Sequence, residues 1–190
     1  MIRNIFCLTL AFLTAVACSG NEQPKEPDPV RRKSPIAIAS ITHKPSDTYV
    51  KIVYGQPYAR GRQVFGNLEP FGKVWRTGAN EATEITTTGP LQFNGEKIEA
   101  GTYALFSIPR KQQDWTIILN DSLGQWGAFD YKSTYDYLRT DIPSKSIEKT
   151  SEAFTIQFSE MVDNSSAIIL KWDTTKVEIP ISFGSAPSKQ

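Results

Sequence analysis

The sequence predicts an all-β protein: an antiparallel β-sandwich of about nine or ten strands with one long Gly/Arg-rich loop. Three observations predict it. Beyond residue 35 the apolar residues recur at period two, the spacing of a strand with one buried face, and no 11-residue window holds a helical period. Turn-forming residues punctuate these stretches at short, regular intervals, as in sandwiches and barrels. The stretch 36–183 is long enough for one domain with a sizeable core. A closed barrel is the alternative to two stacked sheets.

The clearest strands are Phe154, Ile156 and Phe158, alternating with Thr155, Gln157 and Ser159, and Val177, Ile179, Ile181 and Phe183, alternating with Lys176, Glu178, Pro180 and Ser182. Pro180 has no backbone donor, which places that last strand at a sheet edge. Further candidates are 36–42, 48–54, 82–88, 102–108, 114–120, 135–142 and 166–172. Asn94-Gly95, between Leu91-Gln92-Phe93 and Glu96-Lys97-Ile98, is the residue pair of a type I′ hairpin, in which both central positions need positive φ. Asp163-Asn164 and Asp173-Thr174 are read as turns on weaker grounds.

The first 17 residues read as a removable export signal. A basic start at Arg3 precedes an apolar run from Ile5 to Val16, too short to span a bilayer as a helix, which needs roughly 20 apolar residues. The run ends in Ala15-Val16-Ala17-Cys18, which resembles the bacterial lipoprotein signal and makes Cys18 the expected lipidation site and membrane anchor. Segment 18–35 carries seven charged residues, four prolines and one aliphatic residue, Val30. It cannot bury enough apolar surface to offset its ordering entropy, so it is read as a tether. Residues 184–190 are read as a flexible tail. The expected location is the bacterial envelope, lipid-anchored, at the periplasmic or surface face of the outer membrane, because Ser19-Gly20-Asn21 places no acidic residue directly after Cys18.

Charge and composition exclude several function classes. The chain has 21 Lys+Arg and 20 Asp+Glu, and loss of Arg3 with the signal leaves an even balance. Nucleic-acid binding needs a net basic surface and is not expected. One histidine, His43, and one cysteine after the signal cannot build a His- or Cys-rich metal centre, and no cofactor is called for. No serine lies in a nucleophile-elbow sequence, so His43 has no evident partner for a Ser-His-Asp arrangement.

Segment 55–80 breaks the strand rhythm. It holds five of the twelve glycines and four basic residues, Arg60, Arg62, Lys73 and Arg76, against Glu69 alone. Tyr58, Val64, Phe65, Leu68, Phe71, Val74 and Trp75 supply apolar anchors, so it is read as a packed loop. Guanidinium groups beside Gly-rich turns suit bidentate recognition of carboxylate or phosphate. The candidate ligand site is therefore Arg60, Arg62 and Arg76, with Asn80 and Glu81 adding directional contacts and Trp75 or Trp126 an aromatic wall. The competing reading is that Arg62 and Arg76 pair with Glu81, Glu69 or loop carbonyls and hold the loop in place. Trp115 and Trp172, inside alternating strands, are assigned to the core.

Tyr54-Gly55-Gln56-Pro57, Gly61-Arg62-Gln63-Val64-Phe65-Gly66 and Trp75-Arg76-Thr77-Gly78-Ala79-Asn80-Glu81-Ala82-Thr83 closely resemble the DUF2911 family, as do Ala100 to Pro109, Trp115 to Asn120 and Trp126-Gly127. That family consists of secreted or lipid-anchored proteins known mainly from Bacteroidota. The resemblance implies a bacterial envelope protein and brings no reaction, ligand or residue roles. The function expected on physical grounds is a non-catalytic, lipid-anchored binding module for a small anionic ligand, a glycan or a protein partner. The alternatives are a hydrolase of envelope polymers using Glu81 and a second carboxylate, with Glu81 or Glu84 set against Asp121 or Asp130, or a purely structural envelope component.

Overall fold

A computed structural model describes residues 32–184. The expected signal segment, the expected lipidation site Cys18, the expected tether up to residue 31 and the expected tail from residue 185 lie outside the described residues. No helix among the described residues is long and apolar enough to cross a membrane.

Ten strands form two antiparallel sheets: β1 (Ile36–His43), β2 (Thr48–Gly55), β3 (Thr83–Thr87), β4 (Leu91–Phe93), β5 (Glu96–Ile98), β6 (Gly101–Ile108), β7 (Trp115–Asn120), β8 (Asp136–Ile142), β9 (Ser144–Phe158) and β10 (Ser165–Phe183). The first sheet runs β1-β2-β3-β6-β7-β8 and the second β5-β4-β10-β9. Register puts Ala39, Ile52, Ile85 and Tyr103 in one row facing the second sheet, and Ile38, Val53, Glu84 and Ala104 in the neighbouring row facing outward. The inner row and its neighbours pack on Phe93, Phe154, Ile156, Ile168, Leu170 and Ile179 of the second sheet, forming the main core. At the predicted hairpin, Asn94 (φ 49°) and Gly95 (φ 83°) both take the left-handed conformation, and Phe93 pairs with Glu96.

β6 and β7 are buried on both faces. Their outward residues Ala104, Phe106, Ile108 and Ile118 make a second, smaller core with Ala82, covered by Val74, Ala128 and Tyr131. The segment between β7 and β8 therefore lies over the outer face of the first sheet. Leu119, Ile118 and Ile117 accordingly form a continuous apolar run where a half-exposed strand would alternate.

Three sequence expectations need correction. Asp173-Thr174 does not reverse the chain. β10 continues through it for 19 residues, with Asp173 at φ 52° and register shifts on either side, so the polar pair marks a bulge in one long strand. The first ten residues of β9 were not expected as strand, because Ser144 to Ala153 lacks an apolar face. That stretch hydrogen-bonds to β10 at the sheet edge, where lysines, hydroxyls and bulges oppose pairing with another chain. Finally, β10 is an interior strand despite Pro180. Pairing with β9 ends at Val177 and pairing with β4 begins at Ile181, so Pro180 sits where one side of the strand is unpaired and no donor is required.

Candidate functional site

The 55–80 loop leaves β2 at Gly55, crosses one end of the sandwich to β9 and returns beside β6. Tyr58 bridges to Ala153, Phe154 N–H donates to Pro57 O at 2.8 Å, and Ala59 N–H donates to Glu152 O at 2.8 Å, tying the outward limb to the second sheet. Trp75 and Ser107 exchange both backbone bonds at 2.7 and 2.9 Å, tying the return limb to the first. Between the limbs, Phe65 inserts into an aromatic cluster, its ring 4.7 Å from Trp115, 5.8 Å from Trp75 and 6.0 Å from Trp172. Trp75 stacks on Trp172 and donates Nε1–H to Gly78 O at 3.0 Å. Trp75 is thus core, as are Trp115 and Trp172. Gly55 is required by contact, since a Cβ there would lie 1.9 Å from Ala79 O.

The arginines turn mostly onto the chain itself. Arg62 donates Nε–H to Ala59 O and Nη2–H to Tyr58 O, both at 2.9 Å, which closes the first turn of the loop. Arg76 is half-buried, and its Nε has no hydrogen-bond partner among the described residues. The charges of Arg76 and Arg62 both act on Glu69, but burial dominates and pushes the Glu69 carboxyl up to about 7.

Arg60, Asn80 and Glu81 come together on one object, the chain entering β1. Arg60 Nη2 donates to Lys33 O at 3.3 Å, Asn80 Nδ2 to Ser34 O at 3.4 Å, Gln56 N–H to Pro35 O at 2.8 Å, and Arg32 pairs with the Glu81 carboxylate. Partial burial of Glu81 works the other way, but hydrogen bonds from Arg32 and from its own backbone, with the Arg32 charge, hold its pKa below the usual carboxylate range. Three main-chain carbonyls and the Arg32 side chain are thereby clasped at the base of the predicted tether. Trp126 faces Glu81 across an isolated bridge and is 59% exposed. Five of the six candidate residues thus divide among a loop brace, a half-buried cation and a clasp, and the sixth, Trp126, stands exposed beside the clasp.

His43 is also accounted for by structure. Its ring stacks on Phe183 at 4.7 Å. With its proton on Nε2, it donates to Asn164 Oδ1 at 3.0 Å and accepts at Nδ1 from Ser46, whose hydroxyl lies at 2.7 Å. This fastens the end of β1 to the turn before β10.

Hollows among the described residues that are large enough to hold a small molecule include three. One, of about 390 Å³, lies over the bulged stretch of β9 and β10, between Lys149, Lys171 and Lys176, and has Ile147 as its only apolar wall. A second, of about 250 Å³, opens on the outer face between Ile36, Val53, Ala82 and Gly124, with Glu81 and Glu84 at its edge. Glu84 Oε1 accepts from Gly124 N–H at 3.0 Å.

The third, of about 300 Å³, lies at the end of the sandwich under the long loop. Phe65, Phe71 and Trp115 give it aromatic walls, Ser144, Ser146, Thr174 and Thr175 give it hydroxyls, and its charged lining is Arg110, Lys111 and Lys145, with no acidic residue among the described residues. Arg110 is fixed by donating Nη1–H to Asp114 O at 3.0 Å and Thr116 Oγ1 at 2.7 Å, and its own carbonyl accepts from Trp115 Nε1 at 3.1 Å. Phe71 is held over Gly66, where a Cβ would come within 2.5 Å of the ring. The residues come from five stretches of chain, and only Phe65 and Phe71 belong to the loop the sequence singles out.

The family described as Protein of unknown function (DUF2911) matches residues 34–181, from the clasped segment to the end of the second sheet. No curated protein and no solved structure matches the chain.

Proposed function

Because the chain belongs to the DUF2911 family, whose description assigns no function, we propose from the geometry that it is a lipid-anchored envelope module, non-catalytic, that binds a glycan bearing anionic substituents in the hollow at the end of the sandwich. The observation that carries this reading is the lining of that hollow: aromatic walls, four hydroxyl side chains and three cations, of which Lys145 pairs with Glu178 at 2.9 Å and Arg110 lies 3.9 Å from Asp141, while Lys111 has no ion pair among the described residues. Phe71, 37% exposed with the buried Phe65 and Trp115 behind it, offers an aromatic face to a sugar ring at low entropy cost. Hydroxyls match sugar hydroxyls in hydrogen-bond valence. Arg and Lys select a carboxylate, phosphate or sulfate substituent. The volume suits one or two sugar rings, at the lower end of the range for small-molecule sites. The lysine-lined hollow on β9 lacks the aromatic surface and is accounted for by edge protection.

The proposed site differs from the residues picked out by sequence. Arg60, Arg62, Asn80 and Glu81 use their donors and acceptors on the chain itself, whereas Lys111 stands at a hairpin tip facing open solvent. Calorimetric titration with a short oligogalacturonate, with the neutral galactose oligomer as control, tests the reading. Binding of the acidic oligomer, weakened about tenfold or more by Lys111→Ala and by Phe71→Ala, supports it. Equal affinity for the neutral oligomer, or no effect of either variant, refutes it.

One observation favours the hydrolase reading: Glu81 and Glu84 share the outer-face hollow. Both carboxylates are already engaged, Glu81 by Arg32 and Glu84 by Gly124, and a Glu81 kept ionised is unsuited to the acid role. Turnover of any envelope polymer that is lost in a folded Glu81→Gln variant would restore that reading.

A further inference from the structure

The outer face of the first sheet leaves large apolar side chains uncovered around the point where the chain enters the domain. Ile36 and Ile38 project outward from β1 and are more than half exposed. The segment after β7 adds Leu123, Trp126 and Phe129, and Phe129 is 84% exposed. These residues surround one place. Ile36 and Gly124 line the outer-face hollow, Val53 beneath it pairs with Ile38, and Trp126 bridges to Glu81, which lines the same hollow and holds Arg32. Phe129 folds against Gly127, one residue beyond Trp126. Apolar patches of this kind mark interaction surfaces, and Trp suits a boundary that is apolar on one side and wet on the other.

We propose that this face is a lipid-facing surface, with Trp126, Leu123, Phe129, Ile36 and Ile38 seated in the interfacial region of a bilayer. The proposal rests on the reading of Cys18 as the anchor. The choice of lipid over a protein follows from where the chain enters. The clasp by Arg60, Asn80 and Glu81 fixes Arg32 to Pro35 at the edge of the patch. Arg32 is fourteen residues beyond Cys18, so the patch can lie no farther than about 50 Å from an acylated cysteine. A surface held that close meets the bilayer at a high effective concentration, which a free partner lacks. Of the flanking charges, Lys33 and Lys132 are exposed and suit anionic headgroups, Asp121 and Asp130 of the segment after β7 are exposed as well, and Arg32, Glu81 and Glu84 are engaged within the protein.

Tryptophan fluorescence tests this selectively, because Trp75, Trp115 and Trp172 are at most 2% exposed and Trp126 alone reaches solvent. The membrane-anchored chain, and the chain from residue 18 carrying Cys18→Ser, are each mixed with vesicles of phosphatidylethanolamine and phosphatidylglycerol. The expected result in both is a blue-shifted Trp126 signal, quenched by brominated lipid and shielded from acrylamide. Leu123→Ser with Phe129→Ser should weaken vesicle partitioning of the Cys18→Ser chain about tenfold or more. An anchored chain whose Trp126 stays as open to acrylamide as in lipid-free solution overturns the surface and leaves the anchor standing. A natural chain that fails to fractionate with membranes, while its Trp126 still responds to vesicles, overturns the anchor and leaves the surface. Shielding of Trp126 by self-association without lipid assigns the face to a second copy and overturns the proposal.

Discussion

The carboxyl of Glu69 should make this domain more stable in mild acid than at alkaline pH. Glu69 closes a turn within the long loop, its backbone N–H donating to Val64 O at 2.9 Å and its carbonyl accepting from Gly66 N–H at 2.9 Å, and the residue is half-buried there. Burial raises its pKa from 4.5 to about 7 against the opposing charges of Arg76 and Arg62. A folded-state pKa above the unfolded value means the folded chain binds more protons between the two, so the contribution of Glu69 to stability is fully present below 4.5 and is lost as pH rises through 7. One pKa unit corresponds to about 1.4 kcal/mol, so the shift amounts to about 3 kcal/mol, most of it lost between pH 5 and 7.5. For a domain of this size that is a fall in Tm of roughly 6–12 °C. Glu69→Gln keeps the shape and removes the titration. Its absolute stability also reflects the missing counter-charge for Arg76, which is why the comparison is of slopes. Thermal unfolding of both proteins from pH 4.5 to 8.5 should show the wild type losing stability relative to the variant as pH rises. Parallel curves would refute the assignment, and a wild type that gains relative to the variant would show that the two arginines outweigh burial.

Gly55→Ala places a methyl group 1.9 Å from Ala79 O and should cost at least about 3 kcal/mol or prevent folding, read by denaturant unfolding. Phe65→Ala empties the centre of the Trp75, Trp115 and Trp172 cluster and should cost about 3–5 kcal/mol, with a change in near-UV circular dichroism. Arg62→Ala releases the carbonyl of half-buried Tyr58, while Ala59 O keeps its bond from the Arg62 backbone N–H at 3.1 Å. It should cost about 1–2 kcal/mol and speed amide exchange in the loop, while leaving oligogalacturonate affinity within about twofold.

The architecture was legible because its determinants are local. Alternation placed β1, β2 and β3, and Asn94-Gly95 gave the β4–β5 turn, since few other residue pairs adopt positive φ in succession. The misreadings have a common cause. Asp173 and Pro180 are turn-like residues accommodated within β10 by a bulge and by a one-sided lack of pairing, and neither depends on the sequence near them. The start of β9 has no buried face to announce it, because it owes its strand form to hydrogen bonds with β10.

The candidate site was legible only as a set of donors. Arg60, Arg62 and Asn80 do bind oxygen atoms, but these are the carbonyls of Lys33, Ala59, Tyr58 and Ser34, which every residue carries and which sequence therefore cannot flag. The end hollow was missed for the opposite reason. Arg110 and Lys111, Ser144 to Ser146, and Thr174 with Thr175 are brought together by the sandwich from turns and strand ends that look unremarkable alone. Phe71, read from sequence as a packed anchor of the loop, is 37% exposed, and that exposure is set by the fold and not by the residues beside it.

Amide chemical-shift mapping during titration with oligogalacturonate tests the location of the binding site most directly. The account predicts saturable shifts clustered at Phe71, Lys111, Ser146 and Thr175, with Asn80, Glu81 and Trp126 unmoved. Shifts centred on Asn80 and Glu81 with a silent sandwich end would contradict it, since the clasp would then have to release the chain's own main chain to take a ligand.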